Sequence, residues 1–245
     1  MTPISIARLL APLTAALLPA AAFAADQERA VDETPAVLEL RERPAVENPI
    51  VEDRLANLLP ELMEETGIDL WLVLNREYAE DPVYFTLVPQ PSFAARRTTM
   101  LLFHRQDDGS VQPISINRYP LGDPYETAWE GCQLDEQWDA LGRKIAELDP
   151  ETIGINTSRT WPEADGLTEG LHRRLLEVLP GGFEDRLVSA EELVVRWFET
   201  RTGDELELYA HVVSLARSVI ADTCSLTPAC SAISSMHSTA SRVES

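Results

Sequence analysis

Gly67 separates two stretches that together restrict the fold more than anything else in the chain. Before it, Glu52–Thr66 carries Leu55, Leu58, Leu59 and Leu62 at the spacing of one helical face. After it comes Ile68–Leu74, IDLWLVL, an apolar run with a tryptophan inside it and Asp69 as its one polar residue. The sequence therefore predicts a helix closed by a left-handed glycine, then a strand buried on both faces. A helix joined this tightly to a buried strand is the start of an α/β domain.

The next segments extend the sheet. Thr98–His104 and Val111–Asn117 are extended runs joined by Asp107-Asp108-Gly109-Ser110, turn chemistry that brings the second run back antiparallel. The predicted sheet is accordingly mixed. Tyr119–Gly131 reads as an irregular crossing. Leu134–Leu148 reads as a helix with Trp138, Leu141, Ile145 and Leu148 facing inward. Thr152–Asn156 is a short strand, Leu167–Leu179 a helix stopped by Pro180-Gly181-Gly182, and Arg186–Val188 an edge strand. Strands alternating with helices give a three-layer α/β domain over residues 50–188.

Residues 189–222 have a different design. Ser189 with Glu192, then Thr202 with Glu205, each form a capping-box pattern, with Gly203 in between, so two helices should meet at a corner near Arg201–Gly203. On the second helix, Leu206, Tyr209, Val213, Ala216 and Ile220 form one apolar line. Leu208, Val212, Leu215 and Val219 form another beside it. The arc is wider than docking onto one surface requires. Two readings stay open: an ordinary helix sunk deep in one core, or a helix shaped to touch two partners.

Val194–Asp222, VVRWFETRTGDELELYAHVVSLARSVIAD, resembles the connector of the Xaa-Pro aminopeptidase, prolidase and creatinase family. Arg54–Tyr78, RLANLLPELMEETGIDLWLVLNREY, is similar to the helix-then-strand opening of that family's N-terminal domain. The resemblance spans about Val51 to Asp222. It implies a creatinase-like N-terminal fold with a ribonuclease-H-like sheet. It also implies that catalysis belongs to a following "pita-bread" domain, where two aspartates, one histidine and two glutamates hold two divalent ions such as manganese or cobalt. None of those five ligands is carried onto residues of this chain, so no catalytic, cofactor or metal residue is assigned, and the chain is expected to be inactive alone. By resemblance, such N-terminal domains help assemble oligomers and shape the entrance to a neighbour's active site. The expected interface residues are Leu206, Tyr209, Val213, Ala216 and Ile220 on the last helix, with Tyr84, Phe85, Phe93 and Trp161 in aromatic loops. Ordinary loop packing is the alternative for the latter.

The two ends carry other signals. Met1–Ala24 has Arg8, an apolar run and Ala22-Phe23-Ala24 ahead of Ala25-Asp26, the layout of a secretory signal, so a periplasmic or secreted protein is expected, with no membrane anchorage after cleavage. Ala25–Pro49, with Pro35, Pro44 and Pro49, reads as a flexible tether. Thr223–Ser245 is serine-rich with Glu244 as its one acid, and is expected to be disordered and the product of a reading-frame shift, or else an authentic tail.

Net charge −21, spread over short acidic clusters with no evident basic groove, argues against nucleic-acid binding. Cys132, Cys224 and Cys230 are not spaced as a zinc site, and pairing of Cys224 with Cys230 stays open. His104, His172, His211 and His237 include no pair at metal-ligand spacing, and Glu61, Glu64 and Glu65 read as a solvated face. Asp107-Asp108-Gly109 lacks the following glutamate of a calcium loop. The expected partners are a second copy of the chain or a paralogous metallopeptidase subunit. A self-contained exported binding module is the rival.

Overall fold

The computed structural model describes residues 37–226, so the signal-like leader and most of the serine-rich tail lie outside the described residues. Helix α1 (Pro44–Asp53) opens the fold. It passes through one π-helical turn (Arg54–Leu58) into α2 (Leu59–Thr66), which Gly67 closes at φ 66°. The helix thus begins inside the stretch expected to be tether. Pro44 occupies the first turn, where a missing N–H is tolerated. Pro49 is carried because the segment is anchored from outside: the Asn48 side chain donates to Gln90 O at 3.1 Å and accepts the Gln90 N–H at 2.8 Å.

Six strands form one mixed sheet in the order β4-β3-β2-β1-β5-β6. They are β1 (Leu70–Arg76), β2 (Thr98–Arg105), β3 (Val111–Asn117), β4 (Glu126–Thr127), β5 (Ile153–Ile155) and β6 (Leu187–Ser189). β2 pairs antiparallel with β1 and β3, while the β1–β5, β5–β6 and β3–β4 pairings are parallel. The two-residue β4 falls within the crossing expected to be irregular.

Alternation along β1 and β2 explains the layers. Trp71, Val73, Leu101 and Phe103 pack with Leu59, Leu62 and Met63 of α2 and with Leu193, Val194 and Trp197 of α6 (Glu191–Glu199). Leu70, Leu72, Leu74, Met100 and Leu102 face the other way. They meet Trp138, Leu141 and Ile145 of α4 (Leu134–Leu148) and Leu171 and Leu175 of α5 (Glu169–Val178). The result is the expected three-layer α/β domain. Burying each such side chain is worth about 1.5–3 kcal/mol, so the central strand, apolar on both faces, holds both layers. A single turn, α3 (Tyr84–Leu87), lies between β1 and β2.

The long last helix, α7, spans Gly203–Leu226 and so continues past the boundary expected at Asp222. Val37–Tyr209 form one compact unit; α7 from Ala210 onward belongs to a second.

Candidate functional site: the connector corner

The last carbonyls of a helix have no partner within it, and at the end of α6 two arginines supply them: Arg201 donates to Phe198 O at 2.5 Å and to Thr200 O at 3.1 Å, and Arg54 reaches in from the first helix. Arg54 opens the π-turn and is only 6% exposed. Its Nη2 donates to Trp197 O, and its Nη1 donates to Thr200 O at 2.9 Å and to Glu205 Oε2 at 2.7 Å. Its guanidinium carbon lies 4.2 Å from the centroid of the Trp197 ring. Burial pulls the Arg54 pKa below its ordinary value, and the Glu205 carboxylate opposes that shift.

Glu205 does a second task. Its Oε2 accepts the Thr202 N–H at 2.8 Å, and its own N–H donates to Thr202 Oγ1 at 3.4 Å. The capping box expected at Thr202 and Glu205 is therefore made, and Arg54 joins it to the end of α6. The box expected at Ser189 and Glu192 is not. Ser189 Oγ accepts the Glu191 N–H at 3.1 Å, while Glu192 pairs with Arg196 at 2.7 Å. Beside Arg54 opens a cleft of about 360 Å³ whose apolar lining includes Ile50, Val51, Phe85 and Phe198.

The expected interface residues divide. Leu206 and Tyr209 are exposed on the first turns of α7, and Val213, Ala216 and Ile220 are exposed on its continuation. Phe85, Phe93 and Trp161 are also exposed, but of these Phe85 alone lines the corner cleft. Tyr84 must be removed from the set. It is fully buried in the core, its hydroxyl donates to Ala94 O at 3.2 Å, and burial pushes its pKa up to about 12. Its neighbour Phe85 meets it edge-on at 5.1 Å, so one ring of the pair is structural and the other available.

A buried polar chain lies where β1 and β5 end. Trp71 Nε1 donates to Asn156 Oδ1 at 2.7 Å, and Asn156 Nδ2 donates to Asp81 Oδ2 at 2.9 Å. Asp81 Oδ1 accepts the Val83 N–H at 3.1 Å, and the Asp81 N–H donates to Asn75 Oδ1 at 2.9 Å. Burial raises the Asp81 pKa to about 6 against the effect of those hydrogen bonds. Gly166 packs so closely on this carboxylate that a Cβ there would stand 2.1 Å from Oδ2.

Among the described residues, no group of three or more His, Cys, Asp and Glu side chains could hold a metal ion, so they offer no ligand set for a dinuclear centre. No helix among them is long and apolar enough to cross a membrane. Cys132 is free and exposed; the side chains of Cys224 and Cys230 lie outside the described residues. No protein-family model matches the sequence, and no curated protein matches it significantly.

Proposed function

We propose that residues 50–222 serve as the non-catalytic N-terminal domain and connector of an Xaa-Pro aminopeptidase-like metallopeptidase, acting in assembly and substrate restriction outside the cytoplasm. The connector corner carries this proposal. A buried guanidinium ties the end of α6 to the capping box that starts α7, while Leu206 and Tyr209 at that start remain exposed. A buried charged clamp costs desolvation, and its best-attested use is to specify one geometry. Here that geometry presents an apolar helix to a neighbour. The mixed sheet, in which β2 alone runs against the strands beside it, supports the ribonuclease-H-like arrangement implied by the resemblance.

The neighbour is a second copy of the chain or a paralogous subunit bearing the two divalent ions, manganese or cobalt in the parent family. The test is to mix the purified chain with such a subunit and follow both complex formation by sedimentation and cleavage of an Xaa-Pro peptide. The chain alone should give no cleavage, and its addition should change the subunit's preference for peptide length. Stoichiometric binding of two divalent ions and peptide cleavage by the chain alone would overturn the assignment.

A further inference from the structure

Arg76 ends β1, Arg97 precedes β2 and Arg118 follows β3. These three strands are neighbours, with Arg76 opposite Thr98 and Thr99 opposite Asn117. At about 4.8 Å between strands, the topology gathers three cations along one short edge. Together with Glu77, Tyr78 and Trp129 they line an open cleft of about 620 Å³. The sequence suggested no basic groove because these arginines are far apart along the chain.

In a chain with 41 acidic and 20 basic residues, a cluster of arginines would be expected to attract carboxylates. Arg54, Arg105, Arg173, Arg174, Arg186 and Arg196 have such partners, whereas other exposed arginines such as Arg143 and Arg159 have none among the described residues, so what sets the cleft apart is the gathering of three arginines on one lining. Arg76, Arg97 and Arg118 make no ion pair among the described residues. Glu77 is turned onto the backbone instead, its Oε2 accepting the Arg97 N–H at 3.1 Å. The first turn of α4 opens at the same cleft through Leu134, and no side chain caps that helix. Its uncapped N–H groups add positive potential, although Asp135 and Glu136 lie in the same turn, Asp135 being held by Arg174.

The loop bearing Arg97 is set in advance. The Ala95 N–H donates to Glu80 Oε1 at 3.1 Å, Tyr84 holds Ala94, and the Thr99 hydroxyl donates to Ala95 O. Tyr78, Arg96 and Arg97 all adopt positive φ, a conformation that side-chain-bearing residues keep only where the surroundings enforce it. The backbone that carries Arg97 therefore need not be ordered on binding, and the cost that remains is that of fixing the exposed arginine side chains.

We propose that this cleft binds a small organic anion with two or more carboxylates on a flat body, the guanidinium groups taking the carboxylates and Trp129 the body. Arginine pairs with carboxylates in a planar, two-bonded fashion, and a half-buried indole offers a flat apolar wall. The proposal does not depend on the peptidase assignment.

Benzene-1,3,5-tricarboxylate titrated into the full chain at constant ionic strength is the test, read by calorimetry and by the rate at which Cys132, on the same lining, is alkylated. The compound should bind with a Kd near or below about 1 mM and slow alkylation, and Arg97→Gln with Arg118→Gln should weaken binding about tenfold. Arg159→Gln, at an exposed arginine outside the cleft lining, should change nothing. If the double variant melts early, Arg118→Gln alone is measured in its place and should still weaken binding. Equal affinity for wild type and arginine variants, or equal protection of Cys132 by inorganic phosphate, would overturn the proposal.

Discussion

Arg54 and Asp81 are the two buried charged side chains on which the local geometry turns. Replacing Arg54 with alanine removes partners from Trp197 O, Thr200 O and Glu205 at once. The expected loss is about 2–4 kcal/mol in urea unfolding, with Arg54→Lys restoring only part because an ammonium cannot reproduce the planar fork. A loss below about 0.5 kcal/mol would show that the clamp is incidental. Asp81 gives a pH prediction of opposite sign to the usual carboxylate. Its folded pKa of about 6 lies above the ordinary value, so the folded state holds the proton more tightly. The Asp81 contribution to stability should therefore be fully present below about pH 4 and be lost as pH rises to about 6, by an amount on the order of 1–3 kcal/mol. Asp81→Asn should remove that slope while lowering stability below about pH 4, because Asn156 already gives its oxygen to Trp71 and cannot flip without losing it. A carboxyl carbon shift for Asp81 that titrates near pH 4 would contradict the prediction. Neither residue announced its role strongly. Arg54 stands four residues before Leu58 and three after Val51, on the apolar side of its helix, and that spacing was the available signal. Asp81 sits in a loop where sequence carries no burial pattern.

Among elements, those with a long apolar period were legible: the Gly67 stop, both faces of β1, the β2–β3 hairpin, α4, α5 and the α6–α7 corner. What escaped was set by tertiary contact. Pro44 and Pro49 suggested a flexible tether, whereas Asn48 and Gln90 anchor a helix there. Ser189 and Glu192 had the right spacing for a box, but Arg196 claimed the glutamate. Tyr84 and Phe85 are adjacent aromatics whose opposite fates only packing decides. The corner itself yields a measurable expectation. Thr202→Ala should cost about 1 kcal/mol and speed amide exchange in the first turn of α7 without affecting β1. Unchanged exchange at Glu205 and Leu206 would mean that Arg54 alone sets the start of that helix.

At the scale of the whole molecule, the three-layer domain buries its two apolar clusters while α7 keeps Leu206, Leu208, Tyr209, Val212, Val219 and Ile220 exposed. Each large apolar side chain left in water forgoes about 1.5–3 kcal/mol of burial, a sum that favours association with a copy or a partner. Leu206→Glu with Val213→Glu should therefore abolish any concentration-dependent dimer seen by sedimentation while leaving thermal unfolding of the domain within a few degrees of wild type. The most direct measurement is native-state hydrogen exchange on the chain held monomeric by dilution. Amides of Leu70–Leu74 should exchange only through global unfolding. Those of Leu206–Ile220 should exchange at least about a hundredfold faster, and should slow when concentration or an added metallopeptidase subunit drives association. Equal protection of the two segments in the monomer would mean that α7 already has its partner within the chain, and the assembly role would be wrong.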